Sequence, residues 1–291
     1  MLKTIHNDRL KLTVDTLGAQ MMSIESADGC EYLWQGDPAY WEDRSPTLFP
    51  FIGRLTNNSY CHNGMVYPMG IHGFAASMEF ETVQHLKDKL TLRLCSDATT
   101  QRIYPFEFVL DITFTLCGNS IAVTFKVANL SGEVMPFAIG GHPGFRVPLV
   151  DGECFEDYVL EFAEECSPLR VGFTEQIYLS GENVPYPLTD DKYISLRHDL
   201  FDEDAIILKD MARAVTLRCV KSQRAVTVSY PNMPYVGFWH WPKTDAPYVC
   251  IEPWSSLPSR QDIVEDFRSK EDMLQLEAGG VYENTWTITV L

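Results

Sequence analysis

The stretch Gly140-Gly141-His142-Pro143-Gly144-Phe145-Arg146 holds an imidazole on backbone that neither a helix nor a plain strand supplies. It follows the strand-like run Val134-Met135-Pro136-Phe137-Ala138-Ile139. The glycines permit left-handed conformations and close approach of a ligand to the main chain. Pro143 biases His142 towards extended structure. A ring held there sits at a strand end, able to face a cleft rather than a core, and histidine is readily poised as a general acid near neutral pH. From this stretch alone, a turn histidine capping a strand end reads equally well.

Three further stretches embed polar side chains in glycine-rich or aromatic surroundings: Pro50-Phe51-Ile52-Gly53-Arg54-Leu55, Met69-Gly70-Ile71-His72-Gly73-Phe74 and Val249-Cys250-Ile251-Glu252-Pro253-Trp254. Glu252 ends an apolar run, where a carboxylate is costly unless paired or functional. Desolvation there raises its pKa and makes it a better general base. Trp254 beside it offers an aromatic platform for a sugar C–H face, or plain core packing. Arg54 presents a fork of donors for a carboxylate or sugar hydroxyls, or enters a structural ion pair. The glycines around His72 leave space about its ring.

His72, His142 and Glu252 could also be read as a zinc or non-haem iron site. Local ligand spacings such as HExxH are absent, so no metal is expected. There is no GxSxG elbow and no phosphate-binding GxxxxGK[ST] loop, and no cofactor is expected.

The elements that must position these residues are strands. Period-two alternation recurs in Leu10–Val14, Leu90–Leu94, Phe106–Leu116, Ile121–Ala128, Ala214–Val220, Ala225–Tyr230, Tyr235–Trp241 and Thr285–Leu291. Cys117-Gly118-Asn119-Ser120 between two such arms predicts a hairpin. The pattern predicts an all-β fold, an antiparallel sandwich or barrel, with a helix over Gln261–Phe267 and one turn around Pro38–Trp41. Residues 151–192 read as long connections with one short strand, Tyr158–Phe162, on the rim of a cleft. With no internal repeat or linker, residues 1–291 read as a single domain.

A net charge of −17, from 23 basic and 40 acidic residues, excludes a nucleic-acid backbone as partner and disfavours an anionic membrane surface. A neutral ligand such as a sugar is compatible with it. The 8 cysteines form no CxxC pair, and several lie in apolar runs, so buried free thiols are expected. No run approaches membrane-spanning length and Met1–Asp8 lacks an apolar signal core, so a cytoplasmic address is expected.

Taken in order, Gly53-Arg54, Ile71-His72-Gly73-Phe74, Gly140-Gly141-His142-Pro143-Gly144-Phe145 and Ile251-Glu252-Pro253-Trp254 resemble the aldose 1-epimerase (galactose mutarotase-like) superfamily, in particular its LacX-like branch. The resemblance covers essentially the whole chain. It implies a β-supersandwich with a sugar cleft, and cofactor-independent interconversion of the α and β anomers of an aldose. By motif position, Glu252 resembles the family's general base at the C1 hydroxyl, and His142 its general acid at the ring oxygen, on opposite sides of the anomeric centre. Arg54 and His72 resemble residues that orient the monosaccharide. A sugar-binding aspartate falls within Phe201-Asp202-Glu203-Asp204-Ala205-Ile206, at Asp204 because it abuts a strand, or at Asp202 if the alignment slips. Pro253-Trp254 after the glutamate departs from well-studied mutarotases and bears on galactose preference rather than on the reaction. A hexose-6-phosphate epimerase on the same fold would need rim cations, with Arg44, Arg146 and Lys243 as candidates. A non-catalytic sugar-binding protein would not need both an acid and a base.

Overall fold

Alternation builds the larger of the two main sheets. In Ser120–Asn129, the side chains of Ile121, Val123, Phe125 and Val127 are buried while Ala122, Thr124 and Lys126 face outwards. Phe108–Cys117 alternates in the same way and pairs with it in register, Cys117 opposite Ser120. Gly118-Asn119 makes the turn, with Gly118 at φ 59°. The computed structural model describes residues 1–291, and the pairs between its named strands are all antiparallel. The larger sheet has nine strands, running from Tyr193–Ser195 at one edge to Glu81–His85 at the other.

The second sheet carries the residues of interest. Its eight strands include, side by side, Ile206–Lys209, Tyr235–Trp239, Tyr248–Trp254, Gly140–Gly141 and Thr47–Leu48, with Gly144–Arg146 also paired to Tyr248–Trp254. All residues of Tyr248–Trp254 are buried, because both faces of this strand are covered. On one side the larger sheet packs against it: a Cβ added at Gly141 would lie 2.5 Å from the Trp286 ring. Phe162 and Phe238 also meet edge to face between the sheets, 6.2 Å apart. On the other side lie Trp34, Trp41 and Tyr248, with Trp34 stacked on Tyr248 at 4.6 Å. The main core contains 72 buried residues, from Ile5 to Val290. Large-to-small changes in such a core cost about 3–5 kcal/mol for an aromatic.

Three expectations are corrected. Gln261–Phe267 is not a helix. Asp262 takes φ 62°, and the buried Glu265 carboxylate accepts from the Arg260 backbone N–H and guanidinium, which holds the chain in an irregular turn beside Cys61. The one α-helix is instead the short Thr100–Ile103, where Asp97 accepts from the N–H groups of Thr99 and Thr100. Residues 151–192 contain more than connections, since Leu169–Phe173 and Leu179–Pro185 form a hairpin at the sheet edge. All but the first residue of Leu179–Pro185 are exposed, so no alternation marked the strand. Not all thiols are buried: Cys95, Cys117 and Cys154 are exposed. Cys95 falls on the outward phase of its strand. The expected turn at Pro38–Trp41 is present, with the Tyr40 and Trp41 N–H groups donating to the Asp37 carbonyl.

Candidate active site

Glu252 sits in the middle of the second sheet, opposite Gly237 on the neighbouring strand. A Cβ on Gly237 would lie 3.0 Å from Ile207 Cδ1 and 3.4 Å from Glu252 Cβ, so the absent side chain leaves the carboxylate its room. His142 lies in the break between two short strands, Gly140–Gly141 and Gly144–Arg146, where Pro143 gives its carbonyl to the Ile251 N–H at 3.1 Å. This break brings His142 Nε2 to 3.2 Å from Glu252 Oε2, with the side chains only 10% and 2% exposed. The contact is close in distance but not aligned as a hydrogen bond. Glu252 Oε2 and His142 Nδ1 are both buried without a hydrogen-bond partner. An unsatisfied buried polar group costs about 1–3 kcal/mol, so two at one point call for a ligand.

Electrostatics point the same way. Burial pushes the Glu252 carboxyl well above its ordinary range, and the charge of Asp204 adds to the rise. The Trp254 indole opposes it weakly. Burial holds the His142 imidazole well below its ordinary value, with His72 adding to the depression. A neutral pair results. It carries the same number of protons as an imidazolium beside a carboxylate, so one proton transfer separates the two states.

His72 is held by its own motif. It adopts φ 62°, its backbone N–H donates to the Gly53 carbonyl at 3.0 Å, and its Nδ1 accepts from the Gly53 N–H at 3.1 Å. Nδ1 as acceptor leaves the proton of the neutral ring on Nε2, a donor free for a ligand. Burial, together with the charge of Arg54, lowers the His72 pKa to about 4. Gly53 must be glycine, since it has φ 76° and a Cβ there would lie 2.3 Å from the Pro258 ring. The Arg54 side chain is exposed and makes no ion pair or hydrogen bond within the protein. The His72 and His142 rings are 5.5 Å apart. Arg54, His72, His142, Glu252 and Asp204 thus form a continuous series, each acting on the next.

Asp204 lies at φ 78° just before Ile206–Lys209, with Oδ1 accepting from the Ala205 N–H at 2.8 Å. Its charge bears on Glu252, whereas that of Asp202 bears on His240. Of the two aspartates, the one beside the carboxylate is therefore Asp204.

A family model described as Aldose 1-epimerase matches residues 1–267. The chain belongs to the aldose 1-epimerase family. It is 35% identical over 298 aligned residues to the plasmid-encoded protein LacX of Lactococcus lactis subsp. lactis, covering 99% of this chain and 98% of that one. The crystal structure of a galactose mutarotase related enzyme from Lactobacillus acidophilus is similar, with 34% identity, 100% of this chain and 97% of that chain covered, and a TM-score of 0.95. A galactose mutarotase-like protein from Lactobacillus casei gives 29% identity, full coverage of both chains and a TM-score of 0.94. The fold is the antiparallel galactose mutarotase-like one that the sequence resemblance implied.

Two features of this family member depart from expectation. Trp254 is 4% exposed and packed into the main core, so it does not offer an open sugar platform. The aromatic surfaces over His142 are Trp41, at 5.0 Å, and Trp239, edge-on at 5.7 Å, both partly exposed. Sequence reasoning missed both. Trp239 was findable, since it lies two residues from Gly237 and therefore on the face that carries Glu252. Trp41 was not, because a one-turn loop gives no phase. In addition, His142 and Glu252 are side by side rather than on opposite sides of a ring-sized gap. That suits a substrate whose two reacting oxygens share one carbon.

Proposed function

We propose that the protein is a mutarotase, interconverting the α and β anomers of an unphosphorylated aldose by ring opening and closure. The observation that carries this reading is the buried His142–Glu252 contact, with one atom of each side chain left unpaired. With the pair as imidazolium and carboxylate, Glu252 takes the proton of the C1 hydroxyl while His142 gives its proton to the ring oxygen. The C1–O5 bond breaks as C1–O1 becomes a carbonyl. The pair is left neutral, the state that burial favours on both groups, opposite the open-chain aldehyde. Rotation about C1–C2 and return of the two protons closes the other anomer.

Arg54, the Nε2–H of His72 and Asp204 hold the sugar hydroxyls, and Trp41 and Trp239 cover the ring; such positioning supplies much of the remaining acceleration. The reaction as written needs no metal or cofactor, and activity is expected to survive dialysis against EDTA.

Two of the three cations proposed for a phosphorylated substrate are already engaged. Arg44 Nη1 donates to the Met22 carbonyl at 2.6 Å and Gln35 Oε1 at 2.8 Å, and Arg146 Nη1 to the Glu31 carbonyl at 3.5 Å. Only Lys243 is exposed and unengaged, and the net charge of −17 disfavours a phosphate ester. Eight free cysteines, three of them exposed, support a reducing, cytoplasmic setting, and we read residues 1–291 as one catalytic domain. The test is polarimetry on fresh α-glucose and α-galactose with glucose 6-phosphate as competitor. Faster mutarotation of the free sugars, with weak competition by the ester, is expected. Turnover of the ester alone would replace this reading with the phosphate one.

A further inference from the structure

We propose that His142, Cys250 and Glu252 form a site for a thiophilic divalent cation of the zinc type, and that its occupation blocks the active site. The inhibitory part rests on the mutarotase reading; the binding part does not.

One ligand atom from each of the three residues lies within 4.8 Å of the other two. Ligand atoms about 2.0–2.3 Å from one tetrahedral ion are themselves about 3.3–3.8 Å apart, so small side-chain rotations close the set. The strand supplies two of the ligands for a simple reason: Cys250 and Glu252 are two residues apart and share a face. The break at Gly140–Arg146 supplies the third, since Gly144 pairs with Cys250 and carries His142 alongside. Glu252 Oε2 lacks a hydrogen-bond partner in a side chain 2% exposed, and the Cys250 thiol is fully buried. No lysine or arginine forms an ion pair with Glu252, whose one such contact is His142.

The donor set selects the ion. A thiolate, an imidazole and a carboxylate suit zinc, whereas magnesium and calcium take oxygen ligands. Burial holds the thiol well above its ordinary pKa, and Glu252 adds to the rise whenever it is ionised, so the free protein keeps the S–H. Binding forms the metal–sulfur bond as the thiol proton leaves to solvent, together with any proton on Glu252, and affinity therefore rises with pH. A bound ion takes the base and engages the acid at once. Cys250 itself exchanges no proton with the sugar.

The test is titration of metal-free protein with cobalt(II), then with zinc, in excess magnesium. One cobalt per chain with a thiolate-to-cobalt charge-transfer band, displaced by zinc, is expected. Cys250→Ala should lose the band and at least tenfold in zinc affinity. In polarimetry, zinc should slow the wild type at least tenfold and EDTA should restore it, while Cys250→Ala turns over normally and is at least tenfold less zinc-sensitive. Should Cys250→Ala fail to fold, Glu252→Gln in the same cobalt titration must weaken binding at least tenfold. Absence of the band overturns the proposal outright, and a band with equal affinity in the variants overturns it by placing the ion elsewhere, for instance on exposed Cys95, Cys117 or Cys154. A thiolate-bound ion in a protein without mutarotase activity keeps the metal site and overturns the mutarotase reading instead.

Discussion

Two buried histidines differ in one respect that separates structure from chemistry. His142 is 8% exposed and His240 is 0% exposed, and burial depresses both rings. Around His240 every ring atom is provided for. Its Nδ1 lies 2.8 Å from the Trp241 carbonyl and so carries the proton, which makes Nε2 the acceptor for the His198 Nδ1–H at 3.2 Å. Phe201 packs against the ring at 4.5 Å. Around His142, by contrast, Nδ1 has no partner and Nε2 meets a carboxylate without proper alignment. Depth and a shifted pKa are common to both sites. What sets His142 apart is a buried carboxylate beside it, with an atom of each side chain left without a partner.

That contrast breaks most sharply at the proposed acid and base. Glu252→Gln and His142→Asn should each lower kcat about 10²–10⁴-fold, with sugar affinity little changed. The double variant should be little worse than the poorer single one, because the two act as a unit. Polarimetric kinetics with spontaneous mutarotation subtracted checks all three. Next in size, Arg54→Ala should weaken sugar binding as well as turnover, by about 1.5–3 kcal/mol, the range for a hydrogen bond to a charged group. Calorimetric titration with the sugar reads it directly.

The satisfied site should respond in stability rather than in rate. His240→Gln leaves the His198 donor or the Trp241 acceptor unpaired and should cost about 1–3 kcal/mol in urea unfolding with kcat unchanged. A pH series sharpens the point. The His240 pKa is about 4 in the folded protein against an ordinary 6.5. The unfolded chain therefore binds more protons between these values. The stability contributed by the neutral ring is present above the upper value and is lost as pH falls through the window. His240→Gln should flatten that acid-side loss by up to ~3 kcal/mol.

The larger sheet was legible because one face of each strand packs inwards and the other meets solvent, which writes alternation into Ser120–Asn129 and its neighbours. The edge hairpin Leu169–Pro185 was not, since it buries too little to impose a pattern. Gln261–Phe267 misled in the opposite direction: of its spaced apolar residues only Phe267 is fully buried, stacked on Tyr60 at 3.8 Å, while Ile263 is exposed. At the site, His142 and Glu252 stood out because a polar residue in glycine-rich or apolar surroundings conflicts with local preference. Trp254 on the same strand misled, since sharing a face with Glu252 does not fix how far a ring is covered. Cys250 read only as a buried thiol, because its nearness to His142 depends on the pairing of Gly144 with that strand.

The most direct test of the central claim is the decay of optical rotation of freshly dissolved α-glucose and α-galactose with wild type and Glu252→Gln side by side. A rate rising in proportion to wild-type enzyme, with the variant reduced about 10²–10⁴-fold while still binding the sugar, is the predicted result. Equal rates in folded wild type and Glu252→Gln, whether both accelerated or both at the spontaneous value, would contradict the assignment of Glu252 as the base.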